Sequence, residues 1–299
     1  MKGILFILGN IIVASLQSVL LSSWLKGINV FLVVAMSFSI VMALYTIIFF
    51  VKGRDFVSLL IGLKKEILIL NVVSTCNWIF YFFAIKYLNP SAVVTITQCM
   101  PAVFISIFMI VSGKKPSSST IFFHSMILCC TAFLVESYII QSTSSNNDAI
   151  FGVIISLLCA ITVAMTISVS RVFSENKIPS YVVLSLRFPL LIMISWSFVP
   201  QASLFEITRE QIYIILFVSL VGLALANLFL QKGIEYSPPI LVSTTLTLSP
   251  AMVLFFEKIF RHDFVIDTRS LIILLIVGLS VSCIFVNSNK HFFVKKKST

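Results

Sequence analysis

Apolar residues run along this chain in long blocks rather than in alternating stripes. Between Gly3 and Leu21 the polar side chains are only Asn10, Ser15, Gln17 and Ser18. Blocks of this kind, about 20 residues long, recur to the end, and each can cross a hydrocarbon core of about 30 Å as a helix. Lipid offers no partners to backbone N–H and C=O groups, so every block is expected to be helical. The alternating pattern of an outer-membrane barrel strand is absent. Breaks at charged or polar clusters predict ten spans, at about 3–23, 29–51, 67–86, 90–112, 120–141, 150–171, 180–199, 211–231, 239–259 and 270–288. The connections are short, and Ser142–Ala149 is the most polar of them. The longest, Lys52 to Glu66, is half apolar and suits a short interfacial helix.

Composition agrees with an all-α integral membrane protein. Of 299 residues, 59% are hydrophobic and 11% charged, where a soluble domain carries about 25% charged residues. Mean hydropathy is +1.10. The net charge of +10 does not point to nucleic acid, because the basic residues are scattered through short connections beside the spans. With the N-terminus cytoplasmic, the inner segments hold 14 Lys and Arg and the outer ones 6, with Arg187 inside a span. That bias places both termini in the cytoplasm. The expected location is the cell membrane, as a multi-pass protein of a bacterial inner membrane. All six cysteines fall within apolar spans and read as small core residues rather than a disulfide framework. The N-terminal block runs past any plausible cleavage site, so it reads as an uncleaved first span.

One phrase is written twice. Sliding the chain by 149 residues aligns Phe80–Val103 with Phe229–Met252, and eight of 24 positions are identical. The matches include Tyr87/Tyr236, Pro90/Pro239, Thr95/Thr244 and Pro101/Pro250. Two copies then hold five spans each, over 1–145 and 146–299. An odd number of spans per copy makes the second copy enter the membrane from the opposite side, the inverted repeat of many secondary transporters.

Two stretches carry a family resemblance. "AIKYLNPSAVVTITQCMPAVFISIFMIVSGKK" (Ala84–Lys115) and "GIEYSPPILVSTTLTLSPAMVLFFEKIFRHD" (Gly233–Asp263) resemble the third-to-fourth span region of the EamA repeat. "LSLRFPLL" (Leu184–Leu191) resembles the Arg-Phe opening of that repeat's second span. The resemblance covers essentially the whole chain. It implies the ten-helix fold of the drug/metabolite transporter superfamily, as two inverted EamA-like five-helix repeats. It implies alternating-access export of a small polar metabolite, amino acid or drug. The chain departs from the family where Gly-Glu is usual: here stand Gly113-Lys114 and His262-Asp263, and the first copy has Ser37-Phe38 for Arg-Phe.

The polar residues inside the spans are the candidate site. Thr95, Gln98 and Ala102 share one helical face, and Thr244, Thr247 and Ala251 repeat it in the second copy. Either they line a central cavity or they knit helices together. Asn77 and Asn227 lie ten and nine residues before Tyr87 and Tyr236, one position out of register. Trp78 and Tyr81, three apart, suit stacking on a flat ligand or simple core packing. Asn10 and Gln17 form a further polar pair in the first span. Pro101 and Pro250, in mid-span, each remove a backbone hydrogen bond and are candidate hinges. Arg187 either snorkels to the interface or binds an anionic group. Glu136 and Glu257 lie near outer span ends, as interfacial groups or proton carriers.

Enzyme chemistry has no footing: no HExxH, GxSxG or phosphate-binding glycine loop is present. No metal site and no cofactor is expected. The expected partners are the lipid bilayer and a small-molecule substrate, not nucleic acid, with the protein a monomer or homodimer. The competing class is a non-transporting membrane protein, a receptor or immunity-type docking factor.

Overall fold

The computed structural model describes residues 2–24, 28–52, 56–88, 90–140, 146–201, 203, 207–260 and 268–296. Ten helices among them are long and apolar enough to cross a membrane. In chain order, spans 1 to 6 are Lys2–Trp24, Val30–Lys52, Lys64–Tyr87, Pro90–Val111, Ser118–Ile140 and Asn146–Glu175. Span 7 comprises Ser180–Leu186 and Pro189–Ser197. Span 8 runs from Arg209 to Tyr236. Span 9 comprises Pro239–Leu246 and Ser249–Phe260, and span 10 is Thr268–Lys296. A short helix, Val57–Gly62, fills the half-apolar connection before span 3. The chain is therefore an all-α, multi-pass integral membrane protein. Residues 261–267, with the His262-Asp263 pair, and 142–145 of the Ser142–Ala149 connection lie outside the described residues.

Local chemistry sets the helix ends. Asn29 Oδ1 accepts the Leu32 N–H at 3.2 Å, capping span 2. Thr208 and Gln211 form a reciprocal capping box at the start of span 8. Gly113, at φ +74°, ends span 4 in the left-handed conformation. Its neighbour Lys114 donates its N–H to the Met109 carbonyl at 2.9 Å, so the last turn closes on itself.

The packing follows the internal repeat. Span 1 lies against span 8, and span 6, its counterpart, lies against span 3. Span 4 packs on spans 6 and 9, and span 9 returns the contact to span 1. Spans 2 and 7 pair with each other, as do spans 5 and 10. Exchanging the two halves swaps the 1–8 pairing with 6–3 and 4–6 with 9–1, and maps 4–9, 2–7 and 5–10 onto themselves, which is the pseudo-two-fold of an inverted five-plus-five repeat. In lipid such contacts rest on close van der Waals fit rather than on exclusion of water. Gly233 shows the tightness: a Cβ there would stand 2.5 Å from Ile7 Cγ1, so only glycine lets spans 1 and 8 approach so closely. The outer surface is apolar. Ile47, Phe133 and Met193 are each more than 60% exposed, a belt suited to acyl chains.

Three spans are irregular, and all three irregularities face the middle of the bundle. Span 7 breaks at Arg187-Phe188, because Pro189 disfavours a helical conformation in the residue before it. Span 9 breaks at Thr247-Leu248, ahead of Pro250. Span 8 widens into a π-helix over Val218–Leu225, a rare form that is frequent at functional sites. Pro101, by contrast, sits within an unbroken helix.

Candidate functional site

Spans 1, 3, 4, 6, 7, 8 and 9 enclose a cavity of about 110 Å³. Its polar lining includes Asn10, Gln17, Asn77, Gln98, Arg187 and Asn227, with Trp78 and Tyr81 as an aromatic wall. Both halves of the chain contribute.

The π-helix explains part of this wall. A widened turn disturbs the regular i+4 ladder, and a membrane interior demands partners for backbone polar groups. Three side chains bond to carbonyls in or just after it. Asn227 Nδ2 donates to the Leu223 carbonyl at 2.8 Å, and the Tyr45 hydroxyl donates to that of Ala224 at 2.8 Å. Asn10 Nδ2 donates across the interface to the Ala226 carbonyl at 2.9 Å. Each amide thus gives one N–H to the backbone, which holds it in place at the cavity wall. Gly222, inside the π segment, makes room for Gln17: an added Cβ would lie 2.7 Å from the Gln17 Cδ.

Span 3 supplies the opposite wall. The Cys159 thiol of span 6 donates to Asn77 Oδ1 at 3.2 Å and fixes that amide. Trp78 packs on Phe38 with ring centroids 4.8 Å apart and meets Tyr81 edge-on at 5.8 Å. The Tyr81 hydroxyl is hydrogen-bonded to Ser18 Oγ at 2.8 Å.

The break in span 7 delivers Arg187. Asn71 of span 3 splints the gap: its Nδ2 donates to the Leu186 carbonyl at 2.7 Å, and its Oδ1 accepts the Leu190 N–H at 3.4 Å. The freed ends of the two half-helices are therefore satisfied by one amide. Arg187 is 1% exposed and does not snorkel to an interface. Its Nε donates to Ser74 Oγ at 3.0 Å, and its guanidinium lies 5.4 Å from the Phe188 ring centroid. Its Nη1 is buried without a hydrogen-bond partner.

The remaining sequence candidates lie elsewhere. Thr95, Thr244 and Thr247 are buried but do not line the cavity. The Thr95 hydroxyl donates back to the Ser91 carbonyl at 2.7 Å. Thr244 reaches His124 Nε2 at 3.0 Å, and His124 Nδ1 reaches Ser106 Oγ at 2.7 Å, tying spans 4, 5 and 9 together. Thr247 bonds the Thr244 carbonyl at 2.6 Å and the Ser280 hydroxyl of span 10. Of the first copy's stripe, only Gln98 reaches the cavity. Pro101 and Pro250 are buried beside it, Glu136 is exposed, and Glu257 is buried near the end of span 9 without touching the cavity. Sequence reasoning missed the Asn71 splint, Ser74 and Cys159. The proline two residues after Arg187 was the available sign of a break in span 7.

The two ends of the cavity are closed differently. On the face that carries the start of span 1, Phe6 stacks on Tyr236 at 5.8 Å and Lys232 lies over Phe6 at 5.3 Å. There Arg171 Nη1 also donates to the carbonyls of Ile234, Glu235 and Ser237 at 3.0, 3.1 and 3.4 Å. Ser180 Oγ donates to Glu235 Oε2 at 2.6 Å. At the opposite end the closure is a small apolar cluster of Val19, Val94 and Val253 with Phe256.

No curated protein matches the chain. Solved structures share its fold. One described only as "Crystal structure of protein" superposes with a TM-score of 0.72 at 16% identity, over 95% of this chain and 96% of that one. The EamA-like transporter family matches residues 1–136 and again 150–286, once for each half of the pseudo-two-fold packing. The chain therefore belongs to the EamA-like transporter family, a family of membrane transporters.

Proposed function

We propose that this protein is a secondary transporter that moves a small polar solute by alternating access through the cavity between its two halves, 1–145 and 146–299. The observation that carries this reading is the cavity itself. It lies where the two inverted repeats meet, its lining comes from both, and it is bordered by the broken and widened helices of spans 7, 8 and 9. Irregular backbone at membrane depth is tolerated where it lines such a site. The unequal closures support two-state behaviour. A hydrogen-bonded lock shuts one face, while only a thin apolar cluster shuts the other, the arrangement of a state poised to open toward the second face. With the N-terminus in the cytoplasm, that face is extracytoplasmic and the transport direction is export from the cell. A single chain contains the whole cavity, so a monomer suffices.

The amides, the hydroxyl of Tyr81 and the aromatic wall suit a solute with hydrogen-bonding groups on a compact body. The test compares the metabolites accumulated by cells with and without the protein, followed by flux of the differing solutes in proteoliposomes. Saturable flux that depends on the protein supports the reading. Absence of flux for every differing solute, together with stable binding of a protein partner, would overturn it in favour of a docking role.

A further inference from the structure

Arg187 is the unusual feature of the cavity. A buried cation is retained only where it is paired or fully hydrogen-bonded. This one is neither. It has no ion-pair partner among the described residues, one hydrogen bond to Ser74, and a buried Nη1 with none. The nearest polar splint, Asn71, is already spent on the Leu186 carbonyl and the Leu190 N–H. No carboxylate is among the residues lining the cavity. No described residue supplies the countercharge, which is left to the solute.

We propose that the cavity takes a small organic monoanion, a carboxylate-bearing solute whose charged group docks on the unpartnered Nη edge of the Arg187 guanidinium. This rests on the reading of the cavity as the transport site. The chemistry fits on three counts. A guanidinium presents its N–H groups as a planar fork that a carboxylate matches with two parallel bonds, and with Nε held by Ser74 the Nη edge remains for this purpose. Asn10 and Asn227 each give one amide N–H to the backbone, which holds both amides in place at the lining. Their oxygens accept from a hydroxyl, amide or ammonium of the solute, and Arg187 is the one cation among the lining residues, which matches one negative charge rather than two. Trp78 and Tyr81 give the body of the solute an aromatic surface. A cavity of about 110 Å³ limits that body to no more than one small ring, since an apolar cavity of about 150 Å³ holds benzene.

The experiment uses the full chain in nanodiscs of uncharged lipid at fixed ionic strength. Acetate, lactate and benzoate are compared with acetamide, lactamide and benzamide, reading the unfolding midpoint and tryptophan fluorescence. A ligand that binds only the folded state raises the midpoint with its concentration. The expected result is a rise with at least one acid and none with its amide, and a loss of about tenfold or more in acid affinity in Arg187→Gln. Arg187→Lys, which keeps the charge but not the fork, retains part of the effect. Should Arg187→Gln fail to fold, the acid–amide contrast in the natural protein and the Arg187→Lys affinity decide. Equal shifts from acid and amide, no shift from any acid, or undiminished acid binding in Arg187→Gln overturns the proposal. Flux separates the two readings. Acid-selective binding without flux upholds the anion site and sinks the transport role. Flux of a solute at the same rate in Arg187→Gln does the reverse.

Discussion

Replacing Arg171 by alanine removes the polar lock on the face that carries the start of span 1. Its Nη1 lies within 3.4 Å of three carbonyls at the end of span 8, those of Ile234, Glu235 and Ser237. A hydrogen bond to a charged group contributes about 1.5–3 kcal/mol net when buried. The Arg171 side chain is 29% exposed, so solvent weakens the set, and about 1–2 kcal/mol is a fair total. The ion pair to Glu175, whose side chain is 62% exposed, adds little. These carbonyl contacts tie span 6, which packs on span 3, to span 8, which packs on span 1, so on this account they are broken when this face opens and the two pairs part. Losing about 1–2 kcal/mol from that state alone shifts the ratio of the two states roughly 5- to 30-fold. Cys159 reports the change, because it lines the cavity. With the other five cysteines replaced by alanine, a small membrane-impermeant thiol reagent is applied to one side at a time. Arg171→Ala should speed labelling of Cys159 from the Arg171 face and slow it from the other. Unchanged rates from both sides would refute the idea that this lock holds one state of a two-state carrier.

Other substitutions separate structural from functional roles. Asn71→Leu strands the Leu186 carbonyl and the Leu190 N–H, at about 1–3 kcal/mol for each buried group, so the unfolding midpoint should fall well below that of Asn176→Ala, whose amide sits at an exposed helix end. Thr95→Val should leave flux near the natural rate, since that hydroxyl only bonds back to Ser91; a large loss would restore Thr95 to the site. Gly222→Val places a side chain where Gln17 lies, so flux should fall while helical content by circular dichroism stays the same. Pro250→Ala should slow flux more than Pro101→Ala, because only Pro250 follows a break; equal effects would show that the break is not a working hinge.

The architecture was legible in the sequence because lipid imposes one simple rule on every crossing segment. Each predicted span recurs in the structure with ends shifted by a few residues; span 6 is longer at both ends, and spans 8 and 10 run further at their C-terminal ends. The doubled phrase around Pro101 and Pro250 pointed to the inverted repeat, and the mutual packing of spans 1 with 8 and 6 with 3 displays it. The site was legible only in part. Asn77, Trp78, Tyr81, Gln98, Arg187 and Asn227 do converge, although the two asparagines are out of register along their helices. The threonine stripe does not converge, because a hydroxyl on a helix finds a carbonyl one turn back at little cost. Thr95, Thr244 and Thr247 all do so. Periodicity places a residue on a face, but it does not tell whether its polar group is already spent. The π-helix in span 8 was invisible for a related reason: the partners that stabilise it, Tyr45 and Asn10, come from spans remote in sequence.

The central claim is that solute crosses through the cavity between the repeats. Its most direct test is counterflow in proteoliposomes, using the solute singled out by comparing cells with and without the protein. Three forms are measured side by side: the natural chain, the double variant Asn77→Leu/Asn227→Leu, and Thr95→Val. The two asparagines face the cavity from opposite halves, whereas Thr95 lies outside it. The account predicts saturable exchange by the natural chain, its loss in the double variant with the fold intact, and its retention in Thr95→Val. Exchange by the folded double variant at the natural rate would contradict it.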